Sequence, residues 1–268
     1  MGFFAPSGIL NRKGFFGGIS QIQPSSNKIA WYKADAGTTV DGNDRLTSWA
    51  DQSGSGNDAT PYDSGYEPLL SANEINGLEA IFFDPNFDDV MARLLVTPSI
   101  LPTNYNTPFS VIGVIKANYD DIVSNDSQRW LLQAGITEDW LCGFDFGPYG
   151  GDKYFSIMYG SNFVGELGIA GTQLTEGTYY AILSIIHDGT TISFYENGSL
   201  IGTGTPADDF SNTNTNSGIF TIGAMVSNES VYLAAKFYLG ELMIFNTNIS
   251  TETRQAEELY LNDKWAIY

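Results

Sequence analysis

The sequence predicts an all-β fold, an antiparallel β-sandwich of the jelly-roll kind with one short C-terminal helix. Apolar stretches of four to nine residues recur along the chain, separated by turns rich in Gly, Asn and Asp. Such stretches are typical of strands buried in a sandwich core. The 29 glycines suit a fold with many turns. Only one segment, near the C-terminus, has the spacing of a helix.

A predicted strand at residues 191–195 lies between two turn dipeptides, Asp188-Gly189 and Asn197-Gly198. Within it, Ile192 and Phe194 alternate with polar or amphipathic residues, which is the period-2 pattern of a half-buried strand. Both dipeptides suit a type I′ turn, because Asn, Asp and Gly tolerate positive φ. This part of the chain therefore predicts a meander of antiparallel strands.

The other strands are predicted in chain order from apolar or alternating residues. They cover residues 29–32, 46–50, 78–83, 109–116, 130–134, 154–159, 179–186, 219–222 and 237–245. The 109–116 stretch is strongly apolar, so we expect it near the middle of a sheet. Residues 140–147 also alternate like a strand.

The helix is predicted to begin after Ser250, which can cap its first turn, where Glu252 also lies. Three residues are spaced as an apolar stripe that would pack across the sandwich: Ala256, Leu259 and Tyr260. We expect the helix to end near residues 264–265.

Residues 1–28 differ in composition from residues 29–268, which are predicted to form the sandwich domain. Four phenylalanines lie among the glycines of this N-terminal segment: Phe3, Phe4, Phe15 and Phe16. Such a segment cannot form a core of its own. We therefore expect an extended arm that either packs on its own domain as an edge strand or is buried in a partner subunit as an assembly arm.

The formal charge of −19, from 12 basic and 31 acidic residues, argues against a nucleic-acid partner. Cys142 is the only cysteine, so no intrachain disulfide is possible. No apolar run reaches about 18 residues, so no membrane insertion is expected. The basic pair Arg12-Lys13 follows the first apolar residues, unlike the order of a signal peptide. We expect synthesis in a bacterial cytoplasm.

Several blocks of the sequence resemble concanavalin A-like lectin/glucanase domains of the laminin-G-like type. The first blocks begin at Trp31 and Trp49, and the next spans residues 76–84. The 188–202 hairpin and the strand at 240–245 with its following helix resemble the later blocks, in the same order. The resemblance implies a concanavalin A-like β-sandwich, with the two tryptophans in its core. It leaves the function open, because this fold hosts lectins, hydrolases, adhesion modules and virion proteins.

Modules of this kind occur in bacteriophage structural proteins. The resemblance therefore implies a non-enzymatic virion protein, displayed on the capsid or tail and anchored to other virion subunits through its arm. Host cell-surface glycans and further copies of the chain are the other expected partners. A glycan-binding adhesin or receptor-binding module is the alternative, and a glycoside hydrolase is a third hypothesis.

Catalytic motifs are missing from the sequence. Glycoside hydrolysis needs two carboxylates, and laminarinase-like members of the resembled fold carry a Glu-x-Asp motif on one strand. No Glu in this chain is followed two residues later by Asp. His187 is the only histidine, it lies beside a turn, and no Gly-x-Ser-x-Gly elbow accompanies it. The sequence therefore predicts no enzyme.

Candidate glycan-binding residues are aromatic side chains in predicted loops, beside planar polar groups. They are Tyr62, Tyr66, Trp140 and Tyr149, with Phe144 nearby. The residues around Trp140 and Phe144 fit a core strand equally well. The loop at residues 51–58 is expected to fix backbone geometry through Asx-type hydrogen bonds.

Calcium is the only cofactor for which the sequence offers candidates. Asp41, Asn43 and Asp44 supply hard oxygen ligands within one loop. The same residues fit an ordinary turn. Asp84, Asp88 and Asp89 form a second, similar group.

Overall fold

The computed structural model describes residues 25–62, 64–84, 94–96, 100, 107–121, 132–134, 143–145, 148–149, 152–161, 164–205, 220–227, 230–234 and 236–268. Twenty strands, one 3₁₀ turn and one α-helix fall within these residues. In chain order they are β1 (Ala30–Lys33), β2 (Thr38–Val40), β3 (Leu46–Trp49), β4 (Ala59–Pro61), β5 (Leu69–Ile75), β6 (Leu78–Phe83), β7 (Leu94–Val96), β8 (Phe109–Asn118), the 3₁₀ turn (Tyr119–Asp121), β9 (Leu132–Ala134), β10 (Gly143–Asp145), β11 (Pro148–Tyr149), β12 (Asp152–Ser161), β13 (Val164–Leu174), β14 (Thr178–His187), β15 (Ile192–Glu196), β16 (Ser199–Gly204), β17 (Phe220–Ile222), β18 (Ala224–Ser227), β19 (Ser230–Ala234), β20 (Phe237–Phe245) and α1 (Thr251–Trp265).

The largest sheet has eight strands, seven of them in the order β16-β15-β14-β8-β20-β6-β5, and the eighth, β1, pairs with β20. The first half of β20 pairs with β6, and its second half pairs with β1. Strands β8 and β20 lie near the middle of this sheet and are almost entirely buried. Their long apolar runs are explained by this position, because a strand covered on both faces has no polar side.

A second sheet has the order β2-β3-β4-β7-β17-β9, and β10 to β13 form a third, smaller one. Every strand pair among the described residues is antiparallel. The buried side chains form one core, in which Tyr32 of β1 packs against Trp49 of β3 with ring centroids 5.4 Å apart. The predicted antiparallel architecture is thus confirmed, and Trp49 lies in the core as expected. Trp31 is only partly buried and packs against this core from its margin.

The two predicted hairpin turns differ in conformation. Asn197 and Gly198 both have positive φ, 50° and 79°, as a type I′ turn requires. At the other turn only Gly189 has positive φ, so the type I′ prediction was wrong there. The Asp188 carboxylate instead accepts hydrogen bonds from the N–H groups of Thr190 and Thr191, which forms a longer Asx-type loop.

The helix has the predicted bounds, and the Ser250 hydroxyl accepts a hydrogen bond from the Thr253 N–H at its start. Two of the three predicted stripe residues were wrong, because Leu259 is 52% exposed and Ala256 is also exposed. The third, Tyr260, is partly buried and packs against the core, where its ring meets that of Trp31. The buried face is mostly charged and contains Arg254, Glu257, Glu258, Leu261 and Trp265. These charges are tolerated because Glu257 bonds Lys28, Glu258 bonds Ser184, and Arg254 pairs with Glu258 on the helix itself.

The helix covers the outer face of the large sheet, where it contacts β8 and β14. Among the residues that the structure describes, no helix combines the length and apolar character needed to cross a membrane.

Candidate functional site

Two of the predicted glycan-binding residues lie together in the loop between β4 and β5. The rings of Tyr62 and Tyr66 meet edge to face, with centroids 5.6 Å apart and planes at 86°. Both rings are partly exposed. Gly65, at φ 94°, turns the chain sharply between them, and its N–H donates to the Glu67 carboxylate at 2.9 and 3.0 Å. This arrangement fixes an aromatic pair at the surface.

The turn between β2 and β3 is joined to this loop. The Leu46 N–H donates to the Pro68 carbonyl at 2.8 Å, and the Leu70 N–H donates to the Asp44 carbonyl at 2.9 Å. The Arg45 guanidinium lies 3.9 Å from the Glu67 carboxylate. We call the group of Arg45, Tyr62, Tyr66 and Glu67 the tyrosine edge. The structure thus joins the predicted calcium turn to the loop that carries two of the glycan candidates, Tyr62 and Tyr66.

The predicted calcium loop forms a tight turn. The Asp41 carboxylate accepts hydrogen bonds from the N–H groups of Asn43 at 2.8 Å and Arg45 at 3.0 Å. These two bonds hold the pKa of Asp41 below its ordinary value. Asp44 completes the turn at φ 59°. Within the described part of the chain, no three Asp, Glu, His or Cys side chains are placed to hold a metal ion.

The other predicted site residues are only partly accounted for. Trp140, Asp88, Asp89 and the arm residues Phe3, Phe4, Phe15 and Phe16 lie outside the described residues. Tyr149 belongs to β11 and Phe144 to β10, and the structure describes only the backbone of these two residues. Asp84 lies 4.0 Å from the Lys236 ammonium.

The loop at residues 51–58 is held by Asp51. Its carboxylate accepts hydrogen bonds from the N–H groups of Trp31 and Ser53 at 2.8 Å each, and from the Asn57 N–H at 3.1 Å. The Asn57 amide in turn donates to the Ile29 carbonyl at 2.6 Å. These bonds confirm the predicted structural role of this loop.

Four buried carboxylates are committed to structural partners. Glu241, fully buried, accepts hydrogen bonds from Trp31 Nε1, Lys264 Nζ and Trp265 Nε1 at 2.6, 2.7 and 3.0 Å. Of the other three, Glu257 bonds Lys28, and Glu258 bonds both Arg254 and Ser184. Glu196 accepts a hydrogen bond from the Thr172 N–H. Groups fixed in this way are poor general acids or bases, because they are buried and already accept hydrogen bonds from structural donors.

His187 is also buried, with 1% of its surface exposed. Its ring lies 5.2 Å from the Phe109 ring, and Nδ1 lies 3.3 Å from the Thr107 carbonyl. Burial holds the pKa of His187 below its ordinary value, against the opposing effects of the Thr107 carbonyl and Asp188. The surroundings of the imidazole are those of a core residue.

No protein-family model matches the chain, and a search of the curated proteins finds no similar sequence. Solved structures do share its fold. The binding domain of botulinum neurotoxin serotype D superposes with a TM-score of 0.60 at 11% identity, covering 87% of this chain and 52% of that one. The fold is a β-sandwich.

Two further structures support this assignment of the fold. Domain 4 of AbnA, a GH43 extracellular arabinanase from Geobacillus stearothermophilus solved with arabinotriose, gives a TM-score of 0.59 at 15% identity, covering 85% of this chain and 96% of that domain. The binding domain of botulinum neurotoxin DC, solved with SialylT, gives 0.57 at 15% identity, with 88% and 52% covered. The chain thus spans about half of each toxin chain and nearly all of the arabinanase domain.

Proposed function

We propose that this chain is a non-enzymatic β-sandwich module that binds glycans through the tyrosine edge. The observation that carries the proposal is the surface pair of Tyr62 and Tyr66, flanked by a guanidinium and a carboxylate. Aromatic faces pack against the C–H faces of sugar rings, while planar charged groups hydrogen-bond their hydroxyls. The structures of similar fold solved with arabinotriose and SialylT add support.

The non-enzymatic part of the proposal rests on the carboxylates. Glu196, Glu241, Glu257 and Glu258 are buried and bonded to structural partners. A glycosidase needs two carboxyl groups about 5 to 10 Å apart in an open cleft. Among the described residues, the buried carboxylates offer no such pair.

The glycan-binding proposal is tested by a glycan array followed by titration of the best hit. Replacing both Tyr62 and Tyr66 by Ala removes the aromatic pair, and we expect affinity to fall about tenfold, equivalent to about 1.4 kcal/mol. Tyr180→Ala is the control, because Tyr180 is an exposed tyrosine (36%) on β14. An array without hits, or equal affinity for the double variant and the wild type, would contradict the proposal.

Calcium dependence can be measured in the same assay. Binding that requires Ca²⁺ and is lost in Asp41→Asn would assign the cation to the β2–β3 turn. Binding that survives chelation would leave Asp41 with the turn-forming bonds described above.

We also propose that the module is displayed on a bacteriophage virion, with other virion subunits as partners of the N-terminal arm. The Phe- and Gly-rich composition of residues 1–28 supports an assembly segment. The end of the arm is attached to the domain, because the Ser25 N–H donates to the Glu257 carboxylate of α1 at 2.6 Å. The test is whether a chain that begins at Ser25 still enters purified particles. A full-length chain found on bacterial cells and absent from particles would favour an adhesin.

A further inference from the structure

A cavity of about 470 Å³ lies between the start of α1 and the β14–β15 loop. It is remote in sequence from the tyrosine edge, and its walls come from β14, β15, α1 and the segment preceding α1. Its polar lining includes Asp188, Thr191, Ser193, Asn248 and Arg254. The volume lies within the range of small-ligand pockets, roughly 300 to 1,000 Å³.

One wall of the cavity contains a buried guanidinium, that of Arg254. The residue is only 4% exposed, and its guanidinium carbon lies 3.7 Å from the centroid of the Tyr195 ring. Nη1 donates to the Glu258 carboxylate at 2.5 Å. Nε is buried and has no hydrogen-bond acceptor among the residues that the structure describes. A buried donor without an acceptor is unfavourable, and a ligand oxygen can bond Nε once the Arg254 side chain shifts toward the cavity.

The charges around the cavity disfavour an anionic ligand. Glu258 neutralises the Arg254 guanidinium at the wall. Asp188 adds a carboxylate whose Oδ1 accepts hydrogen bonds from the Thr190 and Thr191 N–H groups. A ligand anion would therefore meet a net negative site in a chain of formal charge −19. A hydroxyl group meets no such repulsion, because it can donate to a carboxylate and accept from a guanidinium.

We infer that this cavity is a second binding site, one that takes a neutral sugar unit. Hydroxyl, amide, carboxylate and guanidinium groups of the lining residues supply the hydrogen bonds. Ile186, Ile249 and Tyr195 supply apolar surface for the C–H groups of the ring. The inference stands on this geometry alone, so it holds even if the tyrosine edge binds nothing.

The test follows the Nε–H signal of Arg254 by NMR in the full-length, ¹⁵N-labelled chain. D-galactose, D-mannose and D-glucose are titrated to about 50 mM, which detects dissociation constants in the millimolar range. We expect at least one neutral hexose to shift this signal and the amides of Thr190 and Thr191. N-acetylneuraminic acid, which carries a carboxylate, should shift them less. No shift with any hexose, or a larger shift with the acid, would overturn the inference.

Four variants locate the binding. Ser193→Trp fills the cavity and should abolish the shifts, whereas Ser199→Trp places the same side chain at an exposed position of the neighbouring strand and should preserve them. Asn248→Ala removes one exposed amide and should weaken binding two- to tenfold without disturbing the fold. The Tyr62 and Tyr66 double variant should retain the shifts. Shifts that persist in Ser193→Trp would place the sugar elsewhere.

Discussion

Glu241 shows how a single charged residue can organise several elements. Its carboxylate joins Trp31 of β1 to Lys264 and Trp265 of α1. Lys264 also reaches Asp35 at 2.9 Å. A buried carboxylate is tolerated when donors surround it, and its removal would leave those donors unpaired. The helix is thus attached to the sheet by hydrogen bonds as well as by apolar packing.

His187 should make the stability of the protein depend on pH. Its pKa is lower in the folded state than the ordinary value of 6.5, so the unfolded chain binds its proton first as the pH falls. The free energy of unfolding should therefore decrease below about pH 7, by up to about 1.4 kcal/mol per pH unit, until the folded-state pKa is reached. His187→Phe keeps an aromatic ring beside Phe109 and removes the titration.

Urea unfolding of both proteins between pH 5 and pH 8 checks this prediction. The wild-type free energy minus the variant free energy should be constant near pH 8 and should decrease toward pH 5. A difference that is independent of pH would show that His187 has the same pKa in the folded and unfolded chains.

Residues that act through local bonds could be predicted from the sequence. Asp51 and the 51–58 loop follow Asx-turn rules that depend on a few neighbouring residues. Tyr62 and Tyr66 belong to the same short loop, so the sequence could predict that they lie close together. The cavity between α1 and the β14–β15 loop could not be predicted, because Asp188, Tyr195 and Arg254 meet only after β15 and α1 have packed together.

At the scale of elements, capping signals proved more informative than the apolar stripe. Ser250 marked the start of α1 correctly, because an N-cap acts on its own helix. The buried face was missed, because the burial of Glu257 and Glu258 depends on partners that lie outside the helix, Lys28 and Ser184. Apolar periodicity treats charged residues as exposed, so it cannot identify a buried helix face that is mostly charged.

Gly240 tests the packing of α1 on β20. A Cβ atom at this position would lie 2.9 to 3.1 Å from three ring atoms of Trp265. We expect Gly240→Ala to lower the free energy of unfolding by about 1 to 3 kcal/mol, because the large ring must move in a packed interface. Gly42→Ala is the matched control, since its Cβ would meet no atom within 4 Å. Denaturant unfolding of both variants gives the comparison, and equal stabilities would show that Trp265 can shift freely.

At the scale of the whole molecule, the class of fold and the local meander of β14, β15 and β16 were predictable, and the pairing of distant strands was not. Long apolar runs identified β8 and β20 as buried strands, and they do lie near the middle of the large sheet. The pairing of β1 with β20 joins Ala30 to Ile244. Periodicity describes only neighbouring residues, so it carries no information about such distant partners.

The contact between the arm and the domain determines where a truncation should begin. Lys28 Nζ lies 2.8 Å from the Glu257 carboxylate, and both side chains are at least 98% buried. Lys28 also donates to the Ser25 carbonyl at 2.9 Å. A chain that begins with Met joined to Ser25 keeps these bonds. A chain that begins at Ile29 leaves the Glu257 charge buried without its partner, which costs about 3 to 5 kcal/mol.

We therefore expect removal of residues 1–24, which keeps the bonds of Ser25 and Lys28 to Glu257, to leave the free energy of unfolding within about 0.5 kcal/mol of the full-length value. Removal of residues 1–28 should lower it by about 3 kcal/mol. Urea unfolding measures both, and mass spectrometry of purified particles measures incorporation. The shorter truncation should fold and yet be missing from the particles, which separates loss of assembly from loss of folding. Its normal incorporation would rule out the arm as the anchor, and equal stability of the two truncations would show that Lys28 does not stabilise the domain.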